Sequence, residues 1–338
     1  MNFKTIAPRR KLSEPLALAS GKGMPLQEFC NYLYGLTMDS FFYRSTYMIY
    51  GLLAIIATGI QWTITAVAMS QARHSVKDFT PFYIIGGSTA LLFIALCRVL
   101  FGCQILPDAI AMRPIALMLI GGCINVGSNI CVMSTLGYSA SALYLALSSM
   151  GFAVSFLWSV VVMKDQFTIL NGIGIVCLCM AVLLAAFAKQ KGIGKFEFKR
   201  LGIAILATLC GGAAQICVIT AGKDAQLPAL GKTGCIMLTY VVAFSIIALA
   251  RHTPLEGNKK IFYTSALIWG LLALTSYGTL FFAIKWLSTF SRAGIAYPIC
   301  ISIQMIAFTL YTRFFLKEKL SPMQITALIL IVVGVIAV

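Results

Sequence analysis

The chain repeats one sequence pattern in two places. Residues 163–182 read MKDQFTILNGIGIVCLCMAV, and residues 316–335, which begin 153 positions later, read LKEKLSPMQITALILIVVGV. In each stretch a Lys and an acid follow an apolar residue, a Thr or Ser comes three residues after the acid, and an apolar run ends in a small residue and Val. Most individual letters differ, so the shared order of residue types indicates an internal structural repeat.

The composition is that of a membrane protein. Hydrophobic residues make up 60% of the 338 residues and charged residues only 11%, whereas soluble domains carry about 25% charged residues. Apolar stretches of roughly 17–25 residues, long enough to cross a bilayer as a helix, recur after residue 47. We therefore predict an all-α integral membrane protein with ten transmembrane helices. The predicted spans are 48–69, 81–101, 114–135, 140–162, 168–188, 201–221, 230–250, 262–284, 293–315 and 321–338.

The repeat extends over whole groups of spans. The same offset aligns the preceding spans, where Tyr144 falls on Tyr297. Each copy then holds five spans, at 48–188 and 201–338, joined by a basic linker at 189–200. Because five is odd, the second copy must be inverted relative to the first. Inverted repeats of this kind build many secondary transporters, which hold their substrate near the middle of the membrane.

The second half carries a recognisable family pattern. It reads SRAGIAYPICIS at 291–302, followed by FLKEKLSPMQITALILIVVGVI. With the ten-span, five-plus-five layout, this resembles the EamA-type branch of the drug/metabolite transporter superfamily, over about residues 48–338. The first half departs from the pattern, with Leu145 in place of Pro298 and with Asp165 where Glu is usual.

The resemblance implies a carrier of small organic solutes that alternates between inward-open and outward-open states. It implies a central cavity lined by spans one to four and six to nine, and both termini in the cytosol. We expect a multi-pass protein of the bacterial inner (plasma) membrane that exports an amino-acid-like, neutral or anionic metabolite. A lipid-carrier flippase of the same superfamily and an integral membrane enzyme are the alternatives.

Residues 1–47 differ from the rest of the chain. They carry a basic cluster at 9–11 and no apolar run of spanning length, and the stretch at 15–20 is too short for the core of a signal peptide. We interpret them as a mobile cytosolic tail. A start of the working chain at Met48 and an interfacial amphipathic helix at 26–43 are the other interpretations.

Acidic residues avoid the predicted spans. All ten Asp and Glu lie outside the spans or at their edges, so no membrane carboxylate is present to pair with a lipophilic cation and to titrate. No span holds a His or an acid, which argues against an enzyme, and no Cys pair has a metal-ligand or redox spacing. We expect no metal and no cofactor. The net charge of +16 comes from Lys and Arg at helix ends, where they meet lipid headgroups, so we expect no nucleic-acid partner.

Neutral polar groups inside the spans are the candidates for solute binding. A lone Ser or Thr usually bonds to its own helix or to a neighbouring helix. A carboxamide is different, because lipid cannot satisfy its two donors and its acceptor. The four carboxamides that we expect to face protein or a wet cavity are Asn125, Asn129, Gln215 and Gln304.

Aromatic residues and one Lys complete the predicted site. Tyr144 and Tyr297 lie at equivalent depth in the two copies, and Trp62 lies mid-span, away from the interface where Trp usually occurs; Tyr277 joins them in the eighth span. Lys232 lies about one turn into the seventh span, where it either snorkels to the headgroups or supplies a cation for an anionic solute.

Pro298 interrupts the ninth span, either as a hinge or as a static kink. Beyond the solute, the expected partners are membrane lipids, and the protein is expected to be a monomer or a homodimer. Lys and Arg are balanced between the two sides of the membrane once the tail is counted, so the positive-inside rule assigns no orientation.

Overall fold

The chain is helical throughout the part that the computed structural model describes, apart from short turns and connections. That part comprises residues 49–69, 71–72, 75–76, 78–106, 112–135, 150–188, 198–224, 226–251, 257–314 and 321–338. Within these ranges there is no β-strand beyond an isolated antiparallel bridge between Val76 and Gly257. The helices of these ranges are α1 (Ile49–Met69), α2 (Thr80–Phe101), α3 (Met112–Thr135), α4 (Gly151–Val161), α5 (Ile169–Ala188), α6 (Phe198–Lys223), α7 (Ala229–Arg251), α8 (Lys259–Ser288), α9 (Ala296–Phe314) and α10 (Pro322–Ala337).

Seven of the described helices are long and apolar enough to cross a membrane: α1, α2, α3, α6, α7, α8 and α9 together with the 3₁₀ turn before it. The bundle also turns large apolar side chains outward, as Val99 and Ile336 show, each 78% exposed. Such a surface suits lipid, not water. These seven candidate membrane-spanning helices fit a multi-pass integral membrane protein. The count of ten spans stays a prediction.

Two helices begin three residues earlier than the apolar pattern predicts. α8 begins at Lys259 instead of 262 and runs to Ser288 instead of 284, and α6 begins at Phe198 instead of 201. Hydropathy marks only the stretch that lies in hydrocarbon, whereas Lys is a good helix former and continues the helix into the headgroup region. The side chain of Asn258 caps the start of α8, accepting a hydrogen bond from the Ile261 N–H at 3.2 Å.

The repeated Lys–acid stretch forms the same kind of helix start in both copies. Ser321 and Gln324 form a capping box at the start of α10, in which each side chain accepts a bond from the other residue's backbone N–H, at 3.3 and 2.8 Å. Thr168 and Asn171, which are their equivalents at the 153-residue offset, exchange the corresponding bonds at 3.2 and 2.9 Å at the start of α5. A capping box satisfies two backbone donors that the first turn leaves without partners.

The helices pack in a regular set of neighbours. α2 packs on α7, α5 on α10, α3 on both α6 and α7, α8 on α2, and α4 on α6. α1 lies between α8 and α9, because Thr58 hydrogen-bonds Thr279 at 2.8 Å and a Cβ added at Gly59 would meet Ile303. The start of α5 meets the end of α10, where the Asn171 amide donates to the carbonyl oxygens of Ala337 and Val338. α5 and α10 therefore run antiparallel.

Close helix crossings depend on glycine. A Cβ at Gly270 of α8 would overlap the carbonyl oxygen of Gly86 in α2, and a Cβ at Gly151 of α4 would lie 2.8 Å from the Gly212 nitrogen in α6. Small residues let backbones approach in this way. The glycine pairs at 86–87 and 211–212 therefore lie on packing faces between helices.

The position expected for Pro298 was wrong. α9 begins at Ala296, directly after a 3₁₀ turn at Ala293–Ile295, so Pro298 lies in the first turn of the helix and not in its middle. A first-turn residue has no intrahelical partner for its N–H, and the fixed φ of Pro suits that place. Because no helical hydrogen bond is lost at this position, Pro298 does not kink α9 in that way. A hinge at the junction of the 3₁₀ turn and α9 stays a prediction.

Candidate functional site

A cavity of about 570 Å³ lies between the helices. Its wall is built mainly by α1, α3, α6, α8, α9 and α10, with one residue each from α2, α5 and α7. The sequence predicted a cavity lined by spans one to four and six to nine. In the described part of the chain α5 and α10 also contribute, and no residue of α4 does.

The cavity reaches one face of the bundle. It extends to Met69, the last residue of α1, and to Gln324, in the first turn of α10. We call this the mouth face. In the other direction the lining of α1 stops at Trp62 and that of α6 at Val218, short of the helix ends.

The opposite face, where α1 and α9 begin and α6 ends, is held together by polar contacts. Asp165, in the turn between α4 and α5, pairs with Lys223 at the end of α6 at 3.0 Å and accepts the Gly294 N–H at 2.9 Å. In the same layer the Gln166 N–H donates to the Ser291 carbonyl at 2.8 Å. These bonds join the turn after α4 to the segments around α6 and α9. We call this layer the closed face.

Most of the residues proposed from the sequence come together here. Seven of the nine solute-binding candidates line the cavity: Trp62, Asn125, Asn129, Gln215, Tyr277, Tyr297 and Gln304. Tyr144 lies outside the described residues. Lys232 and the hinge candidate Pro298 are not among the described lining residues. That the seven bind a solute stays a prediction.

Two sets of aromatic rings form much of the wall. Trp62 and Tyr297 lie with their ring centroids 5.8 Å apart, tilted by 33°. Tyr83, Tyr240 and Trp269 form a second group, with centroid distances between 5.4 and 5.8 Å. These distances are those of interacting aromatic pairs. The rings give the cavity rigid apolar surfaces that carry polar tips.

Asn129 is fully engaged by its neighbours. Its Oδ1 accepts from the Tyr83 hydroxyl at 3.1 Å, and its Nδ2 donates to the Tyr240 hydroxyl and to the Asn125 carbonyl, both at 2.8 Å. The two donors and the acceptor that lipid cannot satisfy are all used inside the protein. Asn129 therefore ties α3 to α2 and α7 at the cavity wall.

The other cavity amides keep bonding capacity. Gln215 accepts from the Ser155 hydroxyl at 2.9 Å through its Oε1, and no described residue pairs with its Nε2. Gln304 donates through Nε2 to the Trp62 carbonyl at 3.4 Å, which leaves its Oε1 without a described partner. The Thr65 hydroxyl is buried and has no hydrogen-bond partner among the described residues.

Lys232 lies on the closed-face side of the bundle and not at the cavity. It is 4% exposed, and its Nζ donates to the carbonyl oxygens of Asp224 at 2.6 Å and Gly222 at 3.2 Å. The Phe281 ring lies 5.4 Å away and adds a cation–π contact. A cation among the last carbonyls of α6 also opposes the negative end of the helix dipole. Lys232 thus fastens α7 to the end of α6.

The sequence reasoning missed Tyr83, Tyr240 and Trp269 as wall residues. Tyr240 and Trp269 gave a usable signal, because both are aromatic residues with polar tips deep inside a predicted span, as Trp62 is. Tyr83 gave none, since it comes close to the predicted start of the second span, where an interfacial Tyr is ordinary.

Comparison with protein-family models and with curated proteins finds no match. Among solved structures, 28 chains match the fold. One of them, described as "Crystal structure of protein", superposes with a TM-score of 0.66 over 87% of this chain and 96% of that chain, at 15% sequence identity. At that identity the likeness bears on the fold alone.

Proposed function

We propose that this protein is a secondary transporter that moves a small organic metabolite outward across a bacterial inner membrane by alternating access. We further propose that it is an EamA-type member of the drug/metabolite transporter superfamily, with ten spans in two inverted repeats. The observation that carries the proposal is a cavity between the helices that reaches one face and is closed off at the other.

The helix neighbours support the inverted repeat. If α1–α5 correspond in order to α6–α10, the most extensive helix contacts of one half map onto those of the other. α3–α6 then corresponds to α8–α1, α4–α6 to α9–α1, and α3–α7 to α8–α2, while α2–α7 and α5–α10 each map onto themselves. A two-fold axis produces such a pattern.

The direction of the paired helices supports inversion. α5 and α10 are equivalents, share the capping-box start and run antiparallel. α2 and α7 also run antiparallel, because Gly87 lies near Val241 whereas Gly231, at the start of α7, lies near Ile105, beyond the end of α2. Equivalent helices that run in opposite directions belong to halves of opposite orientation.

The closed face supports alternating access. The contacts of Asp165 with Lys223 and Gly294 join residues of the two predicted halves. They are few and polar, so rocking of one half against the other can break and remake them. For a lipid-carrier flippase a basic rim on the cavity is expected, and none of the described lining residues is basic.

Transport is tested with purified protein in liposomes and a defined mixture of the standard amino acids, nucleobases, nicotinamide and monosaccharides. Exchange of each solute is followed by mass spectrometry. Ala66→Trp fills the cavity from α1, and Ile64→Trp, which places the same ring on the lipid side of the same helix, is the matched control. We expect at least one solute to exchange through the wild type and the control and not through Ala66→Trp.

Exchange of no solute, or equal exchange through all three proteins, would contradict transport through this cavity. Insertion of the three proteins is compared by their yield in the liposomes, so that a folding defect of Ala66→Trp is not mistaken for a blocked path.

A further inference from the structure

The cavity wall carries no formal charge in the part of the chain that the structure describes. Its lining there consists of apolar, aromatic, amide and hydroxyl side chains, without Asp, Glu, Lys, Arg or His. An ion that leaves water for such a site loses hydration that the wall replaces only in part, since even a cation over the aromatic rings gains back only about 2 kcal/mol. A neutral polar group needs only one hydrogen bond. The wall therefore favours an uncharged ligand.

The buried cation Lys232 is not free to offset a negative ligand. Both hydrogen bonds of the Lys232 Nζ go to carbonyl oxygens at the end of α6, and its remaining face lies over the Phe281 ring. Lys232 was the cation that the sequence offered to an anionic solute. With Lys232 committed to the helix end, an anion finds no cationic partner among the described residues of the wall.

The open hydrogen-bonding groups call for both a donor and an acceptor on the ligand. Gln215 offers an N–H, Gln304 offers a carbonyl oxygen, and the Thr65 hydroxyl can do either. The Thr65 hydroxyl is buried without a described partner, which costs free energy until a ligand or a water bonds to it.

The aromatic surfaces favour a flat ligand. The ring pair Trp62–Tyr297 and the cluster of Tyr83, Tyr240 and Trp269 belong to one cavity. Offset stacking against such rings stabilises a planar group beyond the area that it buries. A volume of about 570 Å³ accommodates a one- or two-ring compound within the usual range of ligand pockets.

We propose that the cavity selects an uncharged, planar ring compound whose edge carries both a hydrogen-bond donor and an acceptor, such as a nucleobase or an aromatic carboxamide. This ligand class rests on the proposed transport function, but it is argued from the residues of the cavity wall and is tested by measuring binding instead of transport.

The test uses three probes that share one ring and differ in charge. Nicotinamide is neutral, nicotinate is an anion and 1-methylnicotinamide is a cation at neutral pH; adenine serves as a second neutral ring. Binding to the purified full-length protein in nanodiscs is measured by titration calorimetry. We expect nicotinamide to bind about tenfold or more tightly than either ion, because only the ions lose uncompensated hydration.

Two conservative variants test the named groups. Thr65→Val keeps the shape of the side chain and removes its hydroxyl, and we expect it to weaken nicotinamide binding by roughly threefold to tenfold. Gln215→Leu removes the amide donor and should act in the same direction. Ile64→Val, on the lipid side of α1, should leave binding unchanged.

Equal or tighter binding of nicotinate or 1-methylnicotinamide overturns the selection for uncharged ligands. Failure of both nicotinamide and adenine to bind at millimolar concentration overturns the planar-ring class. Unchanged affinity in both Thr65→Val and Gln215→Leu overturns the assignment of these groups. Each outcome leaves the transport proposal to its own exchange experiment, in which a non-planar solute that moves through the cavity would uphold the carrier and refute the ligand class.

Discussion

Asn129 shows, at the scale of single residues, how a buried carboxamide becomes part of the structure. Tyr83 is 1% exposed and Tyr240 is 4% exposed, and both hydroxyls find their partner in this one side chain. Buried hydroxyls without partners cost about 1–3 kcal/mol each. The amide therefore stabilises the meeting point of α2, α3 and α7.

We expect Asn129→Leu to lower the stability of the protein by about 2 kcal/mol or more, because it strands both hydroxyls. Adding Tyr83→Phe and Tyr240→Phe to Asn129→Leu should recover part of the loss, since the stranded groups are then gone. Thermal unfolding in detergent measures both effects. Tyr263→Phe, at a lipid-exposed ring, is the control and should not shift the midpoint. A triple variant no more stable than Asn129→Leu alone would count against the network.

At the scale of elements, the equivalent starts of α5 and α10 make different contacts with the rest of the structure. Gln324 closes a capping box and lines the cavity. Asn171 closes the equivalent box, and its Nδ2 also donates to the Ala337 and Val338 carbonyls at the end of α10, at 3.1 and 2.7 Å. One residue thus caps the start of α5 and the end of α10.

We expect Asn171→Ala to destabilise the protein more than Gln324→Ala. Each loses the capping-box bond that its own side chain accepts, worth about 1 kcal/mol. Only Asn171→Ala also loses two bonds to helix-end carbonyls, worth about 1 kcal/mol each. Thermal unfolding of the two variants side by side gives the difference. Equal midpoints would mean that the bonds to α10 contribute nothing.

At the scale of the whole molecule, polar contacts between the two predicted halves lie at the closed face. The Asp165 side chain is 5% exposed and that of Lys223 is 28% exposed. The pair is thus partly screened by solvent, and we take its contribution as about 1 kcal/mol. An interaction of this size shifts the equilibrium between the proposed inward-open and outward-open states by a few-fold, so that neither state is locked.

We expect Asp165→Asn to make the cavity more accessible from the closed face, by roughly fivefold for a loss of about 1 kcal/mol. The measurement uses a cysteine placed at Ala273, which lines the cavity, in a protein without its other cysteines. Its rate of labelling by membrane-impermeant reagents is compared in vesicles of each orientation. Asp224→Asn is the control, because this carboxylate accepts from the Gln226 N–H of its own turn. Labelling that does not change in Asp165→Asn, or that rises equally in Asp224→Asn, would argue against the pair as the closing contact.

The same labelling can assign the membrane orientation that the balance of Lys and Arg leaves open. In the protein that carries Ala273→Cys and an unchanged Asp165, the cysteine should react with the external reagent in one vesicle orientation. That orientation identifies the side of the membrane on which the mouth face lies.

The sequence by itself determined the helical membrane class, the positions of the helices and the identity of most polar candidates for the site. Apolar length and the exclusion of charge are local properties, imposed by the hydrocarbon core on each span separately. For the same reason Asn125, Gln215 and Gln304 could be expected at a protein-facing surface before any helix was placed against another.

Only the tertiary structure decided which of these groups stay open to a ligand. Asn129 and Gln215 are both carboxamides inside predicted spans, yet neighbours from α2 and α7 bond to both ends of the Asn129 amide. Ser155 bonds only to the Gln215 Oε1, which leaves the Nε2 without a partner among the described residues. The sequence predicts that Lys232 could supply a cation to the site, yet its Nζ donates to two carbonyl oxygens at the end of α6. Partners of this kind come from other helices. Which of them lies within hydrogen-bonding distance depends on how the helices cross, and no single segment of the sequence determines that.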